Sequence, residues 1–131
     1  GEMVANPTNV DMYIDGIDGG VIEMPTETVW HVNISISVME YDYNVTDFTG
    51  KVATAEFCTM LWRDATTHYS STPVKISNFH NGFANNSFIP HFPIVSNKIA
   101  PYLQCKHVGE TAVISATIQY TQSKFQRIPI I

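Results

Sequence analysis

TVWHVNISISVMEY, residues 28–41, alternates apolar and polar side chains over most of its length. Trp30, Val32, Ile34, Ile36 and Val38 fall on one side, and His31, Asn33, Ser35 and Ser37 on the other. A period of two is the spacing of a β-strand with one buried face, and it does not fit a helix. Burying the five apolar side chains is worth on the order of 1.5–3 kcal/mol each. That outweighs the roughly 1 kcal/mol span of intrinsic strand preference, so packing sets the register.

The rest of the chain extends this pattern. Residues 42–50, DYNVTDFTG, are rich in turn formers and link the first strand to an antiparallel neighbour, KVATAEFCTMLWR at 51–63. The second strand has apolar residues on both faces: Ala53, Ala55, Phe57 and Leu61 on one, Val52, Cys58, Met60 and Trp62 on the other. A strand of that kind is covered on both sides, within the domain or by another subunit, which marks Val52, Met60 and Trp62 as candidate oligomer contacts. A polar loop at 64–72 leads to a short strand at 74–79, and a turn-rich tip at 80–86 to SFIPHFPIV, whose prolines confine it to an edge strand or extended ribbon. YLQCKHV (102–108) and TAVISATIQYTQ (111–122) read as a final hairpin across Gly109-Glu110. Helical periodicity is almost absent. The expected fold is therefore all-β, an antiparallel, jelly-roll-like β-sandwich of about six to eight strands. Residues 27–131 form the sandwich, and residues 1–26, with scattered apolar side chains among aspartates and glycines, serve as a connector or arm with at most a short strand at 21–24.

The totals agree with one domain. The chain has 131 residues, 44% hydrophobic and 15% charged, enough apolar surface to offset the entropy of ordering. It begins Gly-Glu-Met, which reads as a tag remnant or a piece of something longer. The net charge is −5 and lopsided: eleven acidic residues face only Lys51 and Arg63 up to Asp64, after which five cations face Glu110. No Lys/Arg cluster could neutralise phosphates, so nucleic acid is not an expected partner. No apolar run approaches the roughly 18 residues of a membrane helix, so membrane insertion is not expected either. Cys58 and Cys105 are too few for a disulfide framework and are expected as free thiols inside strands.

Catalytic and metal chemistry find little support. Asp11, Asp15 and Asp18 lack the ligand spacing and closing Glu of a calcium loop, and Gly16, Gly19 and Gly20 lack the Lys-Ser/Thr pair of a phosphate loop. The five histidines show no metal-site spacing and read as surface residues, and no nucleophile elbow occurs. No cofactor, metal or catalytic residue is expected. The aromatic residues are more telling. Tyr43, Phe48, Tyr69 and Phe83, beside His80 and Asn85, combine flat apolar faces with hydrogen-bonding groups, as sugar recognition requires. They serve equally as plugs for the ends of a sandwich or for an intersubunit seam, and plugging is the preferred reading.

Taken in order, TVWHVNISISVMEY, ATAEFCTMLWR and SNKIAPYLQCKHVGETAVISATIQYTQ resemble the small C-terminal β-sandwich domains of bacteriophage tail fibre and tail-spike proteins. The resemblance spans Glu27 to Gln122 and lies in strand order and turn chemistry. SFIPHFPIVSNKIAP and the acidic N-terminal stretch depart from it. It implies a non-enzymatic, homotrimeric component of the virion that acts as a structural tip, folding cap or binder of a cell-surface receptor, glycan or protein. No binding residue transfers, because the loops in such domains vary. A secreted carbohydrate-binding module is the alternative expectation.

Overall fold

The computed structural model describes residues 2–5, 9–11, 20–107, 109–126 and 128, with side chains described from residue 20 onward. Its eleven strands are β1 Glu2–Ala5, β2 Asn9–Asp11, β3 Thr28–Asp42, β4 Asp47–Arg63, β5 His68–Ser70, β6 Val74–Asn81, β7 Phe88–His91, β8 Ile94–Val95, β9 Lys98–Ile99, β10 Tyr102–Cys105 and β11 Thr111–Lys124. Every ladder is antiparallel. The fold is an all-β sandwich, as the alternation requires; the excess over six to eight strands consists of pieces two to four residues long.

The large sheet runs β1-β11-β3-β4-β5, with β6 also pairing β4. A small sheet, β2-β10-β7, and the β8-β9 hairpin complete the structure. β3 is the centre of the large sheet, and its even-numbered row from Trp30 to Val38 is buried while the odd-numbered residues between are exposed. Ala53, Phe57 and Leu61 of β4 and Ala112 and Ile114 of β11 continue the same apolar layer. Phe88, Phe92, Ile99, Leu103 and Cys105 face it from the other side. Pro90 sits in β7, an edge strand of the small sheet, where a missing N–H costs no ladder bond.

Two expectations fail. β10 and β11 are not a hairpin: β10 pairs with β2 and β7, whereas β11 pairs with β1 and β3. The chain between them crosses from one sheet to the other, with Lys106 N donating to Ser87 O at 2.7 Å. The reason is burial: Leu103 and Cys105 complete the small sheet's inner face, and Ala112 and Ile114 complete the large one's. The 42–50 loop is also shorter than expected. The turn occupies only 43–46, helped by Asp42 Oδ1 accepting the Asn44 N–H at 2.8 Å, and β4 begins at Asp47.

The N-terminal stretch expected to be a connector contributes β1 to the large sheet and β2 to the small one, and Ile22 and Met24 are core residues. Ile22 makes a single bridge to Ile99 in place of a strand. Met24 is held at both ends of its peptide unit, its N–H on His68 Nε2 at 2.8 Å and its carbonyl accepting from Arg63 Nη1. Asp15 and Asp18 lie outside the described residues. Cys58 and Cys105 are free; one lies on the outer face of the large sheet and the other is buried in the small sheet.

Leu61, fully buried on the inner face of β4, tests this packing. Leu61→Ala is expected to lower unfolding free energy by about 3 kcal/mol in urea titrations. Thr117→Ala on the exposed face is expected to change it by no more than about 0.5 kcal/mol.

Candidate functional site

Three surfaces and one buried cluster gather the chemistry of the molecule. The outer face of the large sheet comes first. Pairing of β3 with β4 sets Met39 opposite Val52 and His31 opposite Met60, so these side chains share the face turned away from the small sheet. Val52, Met60 and Trp62 are each half-buried, and no described part of the chain closes over them. Trp62 stacks on Tyr69 at 5.5 Å between ring centroids. The edge strand β6 adds Val74 and Phe79, both more than half exposed and paired with Cys58 and Thr54. Between these apolar ends runs a polar carpet of exposed Asn33, Ser35, Ser37, Ser115 and Thr117.

The second surface is the tip of the β3-β4 hairpin. Tyr41 holds Tyr43 and Phe48 edge-on at 4.7 and 5.1 Å, and Tyr43 and Phe48 remain 62% and 47% exposed. Tyr69, which the sequence groups with them, lies on the outer face beside Trp62, near the opposite end of β4. Phe83 is only 4% exposed and packs against Phe88 and His107. It plugs the core and offers no face to a ligand.

The third surface is a small, open crevice of about 30 Å³ between β6 and the turn that follows it. His80 and Asn85 both line it, together with Lys75, Asn78 and Asn86, which the sequence did not single out. Lys75 Nζ donates to Asn85 Oδ1 at 3.1 Å and to Asn86 Oδ1, and Asn78 Nδ2 donates to the same Asn85 oxygen at 2.8 Å. These bonds strap the turn to β6.

The buried cluster is centred on Glu40. The even-numbered row of β3 carries this carboxylate inward to 1% exposure, beside a similarly buried His107 whose Nε2 lies 2.6 Å from Glu40 Oε2. Thr49 Oγ1 donates to Glu40 Oε1 at 2.9 Å, and Lys51 Nζ approaches at 3.5 Å. An irregularity in the ladder makes this possible: between the Met39–Val52 and Tyr41–Phe48 pairs, Thr49, Gly50 and Lys51 bulge opposite Glu40 alone. Gly50 has φ +89°, a region open to glycine. The reading of all five histidines as surface residues is thus corrected for His68 and His107, both drawn into the core by hydrogen bonds. The clue in the sequence was parity, because extending the row from Trp30 two residues past Val38 lands on Glu40. Phe83 and Phe88 close over the His107 ring, so the pair is enclosed where it braces the crossover between the sheets.

Among the described residues no group of three His, Cys, Asp or Glu could hold a metal ion. No protein-family model matches the sequence, and no curated protein matches it. Among solved structures, the chain is similar to the tailspike protein of Acinetobacter baumannii phage AM24, with a TM-score of 0.51 and 10% identity over 89% of this chain and 23% of that one. It also overlays the tailspike protein of Acinetobacter phage vB_ApiP_P1 at a TM-score of 0.47 and 10% identity, over 95% of this chain and 22% of that one. The chain therefore spans less than a quarter of the length of these tailspike chains. At such identity the likeness of the first is one of fold.

Desolvation pushes the Glu40 carboxyl up, but hydrogen bonds from Thr49 and His107 and the charges of Lys51 and His107 outweigh it and hold the group below its ordinary value of 4.5. A carboxylate depressed in the folded state stabilises above its unfolded pKa, and that contribution is lost as pH falls through the folded pKa. Acid titration of stability is therefore expected to show a loss below about pH 4.5. Glu40→Gln should flatten that loss and cost about 3 kcal/mol at neutral pH, because His107 and Lys51 then lack their partner.

Proposed function

We propose that the chain is a non-enzymatic module of a phage tail fibre or spike that assembles as a homotrimer and helps present the virion to its host. The observation that carries this reading is the outer face of the large sheet, with Val52, Met60 and Trp62 left half-exposed beside the open Phe79 and Val74. A β-strand that is apolar on both faces, in a sandwich that covers only one of them, leaves hydrophobic area for another chain to remove from water. Neighbouring copies are the simplest source of that cover, since closed symmetry repeats the same contact. The fold shared with part of a phage tailspike supports the placement in a virion.

A second reading draws on the exposed Tyr43 and Phe48 at the hairpin tip. Two clustered, protruding aromatic rings fit a lectin-like, secreted module that binds carbohydrate. The two readings part on mass. Light scattering at micromolar concentration is expected to give three times the 14.7 kDa chain mass, and Met60→Asp is expected to give monomers with unchanged far-ultraviolet circular dichroism. A wild-type chain that stays monomeric would overturn the assembly.

A further inference from the structure

The crevice beside β6 is built unlike the rest of the surface. Its floor is apolar, made by Ile36, Val38, Ala53 and Ala55 of β3 and β4. Its rim is a set of donors. The Asn85 side-chain oxygen is already taken by Lys75, Asn78 and the Asn86 N–H, and the Asn86 oxygen by Lys75. What remains toward solvent is the third ammonium proton of Lys75 and the amide N–H groups of Asn85 and Asn86.

Among the described residues no ion pair compensates the charge on Lys75. The ion pairs among the described residues use Lys51, Lys98 and His107, so Lys75 is held by neutral amide oxygens and lies 5.9 Å from the centroid of the Phe57 ring. A half-buried cation among neutral donors attracts an anionic acceptor more strongly than a solvated lysine does. One cation matches one negative charge, whereas phosphate sites generally gather several donors at a helix N-terminus or nest. The recess itself has room of only about 30 Å³, enough for one methyl-sized group, so the body of a ligand would stay outside it, over the polar rim.

We propose that this crevice binds a sugar bearing a carboxylate and an acyl group. The carboxylate lies on Lys75 and the Asn85 and Asn86 amides, and the acyl methyl rests over Ala53 and Ala55. The choice of a sugar rests on the host-contact reading above, while the charge and the apolar floor come from the site itself.

Titration of amide-resolved NMR spectra of the wild-type chain tests it with three probes: N-acetylneuraminic acid, glucuronic acid and N-acetylglucosamine. The first is expected to shift the side-chain amides of Asn78, Asn85 and Asn86 at millimolar concentration, the second to bind more weakly, and the third to leave them unmoved. Raising salt from about 50 to 500 mM should weaken binding several-fold. Lys75→Met should weaken it about tenfold or more. Should that variant misfold, Asn86→Asp decides, since it neutralises Lys75 without removing the strap and is expected to abolish binding. Silence from both acids, an equal response to N-acetylglucosamine, or inorganic sulfate competing as well as the sugar acid would overturn the site. Masses measured on the same samples separate the two proposals. A trimer that ignores the acids sinks the crevice alone, and a monomer that binds them sinks the assembly alone.

Discussion

The inward row of β3 is the constraint on which the remaining structure depends. β3 is paired along its length by β11 on one side and β4 on the other, so a one-residue slip would turn Trp30, Val32, Ile34, Ile36 and Val38 out of the core together. At on the order of 1.5–3 kcal/mol per side chain, that row outweighs the cost of a single misplaced polar group. Glu40 is such a group. It is carried inward by the register, and the structure answers with local irregularity: the bulge at Gly50 supplies Thr49 and Lys51, and the crossover supplies His107. The same bulge marks where the β3-β4 hairpin leaves the core, since its residues from 43 to 51 are all exposed. Core packing, a buried carboxylate–imidazole contact and a projecting aromatic tip thus follow from one alternating strand.

The covering of β4 follows by the same logic. Its odd-numbered residues from Ala53 to Leu61 turn to the core and are buried, Ala55 only partly, but a sandwich of two layers has no third layer for the even-numbered ones. Val52, Met60 and Trp62 keep their apolar character on a face that the chain does not close. A protein whose partner was water alone would favour Thr, Lys or Glu there, as it does between them at Thr54 and Glu56.

Legibility from the sequence divides along the range of the interactions. β3, β6, the two faces of β4 and the inner row of β11 were readable, because alternation is local and burial reinforces it. The edge position of Pro90 was readable for an equally local reason, its missing donor. The hairpin expected across Gly109-Glu110 was not real, although its turn chemistry is favourable. Gly109 serves a different need: at φ +146°, an added Cβ would stand 3.0 Å from Glu40 Oε2. Local turn signals cannot say which sheet a strand joins; that is decided by which inner face Leu103 and Cys105 complete. β1 and β2 escaped notice because strands of three or four residues carry too little pattern. Of the surfaces, Tyr43, Phe48, His80 and Asn85 were visible as residue types, but Lys75 and Asn86 become neighbours only when β6 and its following turn fold together.

The two proposed uses of the molecule fall mainly on opposite sides of the large sheet and meet at Thr54 and Phe79, which also line the crevice. β4 and β6 present Val52, Met60, Trp62 and Phe79 on one side of the large sheet, whereas Lys75, paired with Phe57, and Asn78, paired with Ala55, belong to the other. Neighbouring copies packed on the outer face would cover the first set and leave the mouth of the crevice at the sheet edge. Burial of the outer face would also remove fraying at β6, an exposed edge strand whose contacts to β4 and to the Asn85–Asn86 turn are its anchors. Assembly would then preorganise the strap that holds Lys75, so a trimer should offer a better-formed crevice than an isolated chain. Coupling of this kind needs no moving part, because the strand that ends the interface is the strand that lines the site.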